Sequence, residues 1–245
     1  MTSNRRRFAA AAALVAAGAG VWALRSGSPP LPDLVPTARD GLVFLDGPRS
    51  GVDAMNVGLP GTTGPAPTAP LADPWAALID PATAPAIGPA ADGVPTVVAL
   101  FDYRCPFCRA HAPALWERAL AGEIRLLLRD WAILGPPSVL AAEAALAAWQ
   151  QGAYLELHQG LMTTGFVPTD GLVRDLATRN GLDLRAFDAA RSGLEVAARL
   201  AHNAALAAVL GVPGVPVYAI DRVVIAGGYD PGQLLALARH HAPGV

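Results

Sequence analysis

Cys105 and Cys108 are the only cysteines in the 245-residue chain, and they stand as Cys105-Pro106-Phe107-Cys108. A C-x-x-C at the exit of a strand and the mouth of a helix is a dithiol–disulfide redox motif. Both neighbours are present. Val97 to Phe101 is a short apolar run with the β-branched and aromatic content of a buried strand. Arg109 to Ala121 has the composition of a helix.

The first N–H groups of a helix lack partners within it, and the helix dipole places partial positive charge there. A sulfur at that spot ionises more easily, and the thiolate is the form that attacks. Pro106 suits the first helical position, where an N–H would go unused. The expectation is an exposed, low-pKa Cys105, with Cys108 a turn deeper as the resolving sulfur. Arg104 and Arg109 add positive charge nearby. Zinc is disfavoured because it takes four ligands, and the histidines, His111 among them, form no second pair at finger spacing. No metal is therefore expected. A purely structural disulfide across so short a loop would remove little chain entropy.

The stretch FDYRCPFCRAH, followed later by GVPGVPVY, resembles the DsbA-like thiol–disulfide oxidoreductases of the thioredoxin superfamily. The resemblance runs from about Val94 to about Arg239. It implies an α/β, thioredoxin-like fold: a central mixed β-sheet flanked by helices, with an α-helical insert at about 135–210. It implies a redox-active Cys105–Cys108 disulfide as the working group, with no other cofactor. It also implies a cis proline at Pro216, across from the motif, so that Val215, Pro216 and Phe107 receive an extended client segment. The implied clients are unfolded or partly folded exported proteins, and a membrane redox partner would recycle the dithiol. Two departures stand out. The dipeptide between the cysteines is Pro-Phe where the strongest oxidants of the family have Pro-His. Ala99 stands six residues before Cys105, where many members carry a buried acid. A milder oxidant is the expectation.

The elements that must position these residues follow in order. The first helix is expected over Pro106–Ala121, with Pro113 kinking it. Ile124–Arg129 reads as a strand parallel to the first, by the right-handed crossover rule. Ser138 is expected to cap an Ala/Leu helix reaching about Gln151. Further helices read near Tyr154–Met162, Asp170–Asn180, Leu184–Ser192 and Glu195–Leu210. Asp221-Arg222 reads as a hairpin turn before a last strand, Val223–Ile225, and a final helix runs from Gly232 to His240.

Ahead of all this lie two stretches of different character. Residues 1–25 join Arg5-Arg6-Arg7 to an Ala-rich apolar run, which reads as a signal peptide or membrane anchor. The Arg-Arg-x-Phe order resembles the twin-arginine kind, and an ordinary secretory signal is the alternative. Residues 26–93 hold more than half of the 23 prolines and read as a Pro/Gly-rich extension to a domain at 94–243. Two islands break that extension: Gly41–Asp46, a short strand, and Asp73-Pro74-Trp75, a helix start whose Trp suggests docking.

The signal predicts a periplasmic location, soluble or anchored, where a disulfide persists. Net charge is −2, and all 18 basic residues are arginine with no basic stripe, so nucleic acid is not an expected partner. Two other readings use the same sulfurs: a disulfide reductase or isomerase, and a non-enzymatic metal-handling or assembly module. For the last, His111 is the one sequence-local extra ligand.

Overall fold

The structure is a computed structural model that describes residues 37–39, 42–46 and 73–241. The signal or anchor at 1–25, and its twin-arginine character, lie outside the described residues, as does most of 26–72.

The described residues share a seven-stranded mixed sheet. Its strands are β1 (Thr37–Arg39), β2 (Leu42–Asp46), β3 (Ala86–Ile87), β4 (Thr96–Phe101), β5 (Arg125–Asp130), β6 (Val217–Ile220) and β7 (Val223–Ala226). The spatial order is β1-β2-β7-β6-β4-β5-β3. Strands β4 and β5 run parallel, joined by a crossover helix as expected, and β6 runs antiparallel to β4. The turn between β6 and β7 has both Asp221 and Arg222 at positive φ, the backbone of a tight two-residue hairpin.

Alternation along the strands divides the interior into two layers. Val98 and Leu100 of β4, Leu127, Val217, Ala219 and Val224 form one buried cluster. It receives Leu78 from helix α1 (Pro74–Ile79) and Leu206, Ala207 and Leu210 from a later helix. Val97, Ala99 and Phe101 alternate with these on β4, and Ala99 and Phe101 line one small cavity with Cys108, Ala112 and Leu115 of helix α2 (Pro106–Leu120).

Between β5 and β6 comes the helical insert: α3 (Pro136–Trp149), α4 (Tyr154–Thr163), α5 (Asp170–Arg179), α6 (Leu184–Arg191) and α7 (Leu194–Leu210). The last helix, α8 (Pro231–His241), follows β7. Helix α3 buries an almost unbroken run of alanines, which lets its neighbours approach closely. It starts differently from the expectation. The cap position is Gly135, and Ser138 lies inside the first turn. The Ser138 hydroxyl instead donates to the buried Asp102 carboxylate at 2.7 Å.

The stretch 26–93 contributes to the sheet rather than only preceding it. Strand β2 runs parallel to β7, with Val43 opposite Val223, and β3 adds antiparallel to β5. Asp73 caps α1 through the N–H groups of Trp75 and Ala76, as the Asp-Pro order predicts. The α1 C-terminus is held by Arg129, a fully buried arginine in β5. Its guanidinium donates to the carbonyls of Ala77, Leu78 and Asp80, to Thr83 Oγ1 and to Asn203 Oδ1 on α7. A buried cation is tolerable only when its donors are met, and here helix-end carbonyls meet them.

Candidate active site

Cys105 is the N-cap of α2, and Pro106 is its first residue. Cys105 Sγ accepts the Cys108 backbone N–H at 3.4 Å. On its other side it lies 3.7 Å from the Val215 carbonyl oxygen, the acceptor for its S–H. Val215–Pro216 is a cis peptide bond. The structure therefore brings Cys105, Cys108, Val215 and Pro216 together at the end of β4 and β6.

Two expectations about exposure are corrected. Cys105 is 3% exposed and Val215 is 5% exposed, so neither the sulfur nor the client-binding carbonyl lies open. Each covers the other, because the thiol satisfies the carbonyl in the free protein. Phe107 does stay open at 36%. Its ring lies on the backbone of Gly228, where an added Cβ would come within 2.6 Å of it. Position 228 is thus restricted to glycine by Phe107, one of the two residues between the cysteines.

The two thiols are driven apart in acidity. The Cys105 pKa is lowered by the hydrogen bond from the Cys108 thiol, assisted by the Cys108 and Phe107 N–H groups, and these outweigh its desolvation. Burial pushes the Cys108 thiol well above its usual value, and the Cys105 sulfur beside it adds to the effect. The arginines that were expected to supply charge hold loops instead. Arg104 donates to the Leu134 carbonyl at 2.8 Å. Arg109 donates to the carbonyls of Tyr103, Leu161 and Thr164.

Asp102 was not singled out as a functional residue, yet it ties the motif loop to the insert. One oxygen accepts from Arg104 N and Ser138 Oγ; the other accepts from the N–H groups of Ile133 and Leu134 at 2.8 and 2.9 Å. A strand-ending Asp followed by the cysteines was the one available signal.

Behind the motif is a buried polar cluster that no local pattern announced. Tyr103 Oη meets His158 Nδ1 at 3.0 Å, and Tyr154 donates to Asp130 Oδ2 at 2.9 Å. Burial raises Asp130 to about 7 and lowers His158 to about 3. Phe101, Trp116 and Tyr154 surround the imidazole. His111 Nδ1 lies 3.1 Å from Tyr218 Oη. Among the described residues no group of three or more His, Cys, Asp or Glu is placed to hold a metal.

Comparison with known proteins agrees with this geometry. The family model described as a DSBA-like thioredoxin domain matches residues 123–237, a span that begins after the motif. A thioredoxin-like oxidoreductase from Silicibacter pomeroyi DSS-3 is similar in structure, with TM-score 0.61 and 36% identity, over 69% of this chain and 98% of that one. A periplasmic thioredoxin-like protein from Salmonella enterica serovar Typhimurium gives TM-score 0.55 and 27% identity, over 68% of this chain and 94% of that one. A curated relative, Na(+)/H(+) antiporter NhaA 3 of Salinispora tropica, is 32% identical over 146 residues. Those residues are 58% of this chain, which spans only 22% of the antiporter's length. By fold, motif and relatives, the chain belongs to the DsbA-like thioredoxin-domain family, a family of thiol–disulfide oxidoreductases.

Proposed function

We propose that the protein is an exported thiol–disulfide oxidoreductase that oxidises or exchanges cysteine pairs in exported client proteins. The observation that carries this reading is the acidified Cys105 at a helix mouth, 3.7 Å from the Val215 carbonyl oxygen. In the oxidised protein a client thiolate attacks Cys105 Sγ. The Cys105–Cys108 bond breaks, a Cys105–client bond forms, and the electron pair leaves on Cys108. A second client thiolate then displaces Cys105, which departs as thiolate. The client gains a disulfide and the protein becomes a dithiol. A lowered Cys105 pKa makes that sulfur the better leaving group and favours the reduced protein, which is the direction of an oxidant.

The client's backbone would replace the Cys105 thiol at the Val215 carbonyl, pairing at the edge of the loop while Phe107 meets an apolar side chain. Export rests on the sequence of residues 1–25, and a periplasmic site fits the kind of protein found in Salmonella. No helix among the described residues is long and apolar enough to cross a membrane. Each turnover leaves a reduced protein, so an oxidant must restore the disulfide, and the proposed one is a membrane redox partner. Against the metal-handling alternative stands His111, whose Nδ1 is engaged by Tyr218 Oη at 3.1 Å.

The test is trapping. Cys108→Ser should accumulate mixed disulfides with reduced client proteins, and Cys105→Ser should accumulate none. Equal trapping by both variants would reverse or remove the assignment. Equilibration with glutathione buffers gives the potential, which is expected to be less oxidising than that of Pro-His members.

A further inference from the structure

A disulfide cannot close until the Cys108 proton has somewhere to go. The Cys108 thiol is buried and held well above its usual pKa, so bulk hydroxide has poor access to it. Cys108 borders a small cavity with room for about one water. Most of its wall is carbon: Ala99, Phe101, Ala112, Leu115, Leu126 and Leu128. Two polar side chains also face it, His158 and Tyr218.

These two are not equivalent. His158 is 1% exposed and its Nδ1 is engaged by Tyr103 Oη. With burial depressing it to about 3, it does not hold a proton near neutrality. Tyr218 reaches the cavity because it sits directly opposite Ala99 in the β4–β6 ladder, where the small side chain leaves room under Cys108. Its hydroxyl meets His111 Nδ1 at 3.1 Å, and His111 is only half-buried, one helical turn past Cys108. Sulfur, phenol, imidazole and solvent thus lie in sequence.

We propose that Tyr218 and His111 form the proton path that serves Cys108. As the disulfide closes, the Cys108 proton passes to Tyr218 Oη through one water in the cavity both residues line, while the phenol proton moves to His111 Nδ1. The Cys108 electron pair attacks Cys105 Sγ, and the partner's sulfur leaves as thiolate. The imidazolium then returns its proton to solvent. When a client opens the disulfide, the same path runs backwards and delivers a proton to the Cys108 thiolate. The groups that bear on His111 are Tyr218 from β6 and Asp230 at the start of α8. Burial lowers its pKa against the pull of Asp230, so the imidazole is neutral and able to accept at pH 7. The Tyr218 phenol is raised by burial and by both sulfurs, so it relays a proton without itself staying ionised.

This inference rests on the exchange reaction proposed above, and its test separates the two. Reduced protein is mixed with oxidised glutathione, and acid quench with mass analysis follows two steps: formation of the Cys105–glutathione species, then closure onto Cys108. Tyr218→Phe and His111→Gln should each slow closure at least about tenfold at pH 7, with formation at Cys105 unchanged. The double variant should be no slower than the single ones. Wild-type closure should fall off as pH drops through the His111 pKa, whereas closure in the variants should climb about tenfold per pH unit with thiol ionisation alone. The formation step doubles as the folding control, because it needs an intact helix mouth. Wild-type closure rate and pH profile in both variants would overturn the proton path and leave the exchange reaction standing. A wild-type protein that never forms the glutathione species would remove both.

Discussion

Asp102 holds a loop in place while adding a smaller, opposing influence to the acidity of Cys105. Its four accepted hydrogen bonds come from both ends of the site, the motif loop and the entry to the insert. Its negative charge also raises the pKa of both cysteines. Asp102→Asn separates these roles. The amide nitrogen cannot accept from the donors on its side, which costs about 1–3 kcal/mol per unsatisfied buried group. Removal of the charge lets Cys105 ionise at lower pH. The expected outcome is a lower urea midpoint together with faster iodoacetamide alkylation of Cys105 at pH 6. Slower alkylation would mean that the loop, rather than the charge, governs the sulfur. Much of the site was readable at this scale. Cys105, Pro106 and Cys108 announce themselves because strand, cap and helix are neighbours in sequence. The covering of Cys105 by Val215 was not readable, since that contact spans 110 positions.

At the scale of elements, α4 is locked to the ends of β4 and β5 by a polar cluster with two opposed titrations. Asp130 goes from an ordinary 3.8 to about 7 in the fold. Between those values the unfolded chain has released its proton while the native carboxyl keeps one, so stability falls as pH rises. His158 goes from an ordinary 6.5 to about 3. There the unfolded chain binds the proton first, so stability falls as pH drops. Both windows include the range from about 4 to about 6.5, and the slopes oppose one another. Native stability should be nearly flat across that range. Asp130→Asn should make it rise with pH, and His158→Gln should make it fall, each by up to about 3 kcal/mol across that range at about 1.36 kcal/mol per pH unit. Denaturant midpoints at pH 4.5, 5.5 and 6.5 measure this, and unchanged flat profiles in both variants would refute the opposition. The sequence displayed the helices that carry these groups but not their pairing. Tyr103 and His158 meet across 55 positions, beyond the reach of any helical or strand period. Ser138 misled for the same reason: it has the chemistry of a cap, and a distant carboxylate claims it.

For the whole molecule, the sheet extends well ahead of the motif. Proline and glycine density made 26–93 read as an extension, because β2, α1 and β3 are short and their stability comes from partners far along the chain. Leu42, Phe44 and Leu78 belong to the same buried cluster as Val98 and Val217. A chain cut to begin at Val94 loses all three, exposes the β7 edge, and strips Arg129 of the carbonyls that receive it. A small domain has only about 5–15 kcal/mol to lose. The shortened chain is expected to be insoluble or unfolded, whereas one beginning at Asp33 should melt with the full protein; circular dichroism on both decides it. The pairing of β2 with β7 also bears on how the protein is made. Val43 is synthesised about 180 residues ahead of its strand partner Val223. During translation, and during any passage across a membrane, the β1–β2 pair must wait with its β7-facing edge open until that whole span has emerged. Closure of the β2–β7 edge is therefore a late event in the making of this domain, and the earlier pair must stay unaggregated until it happens.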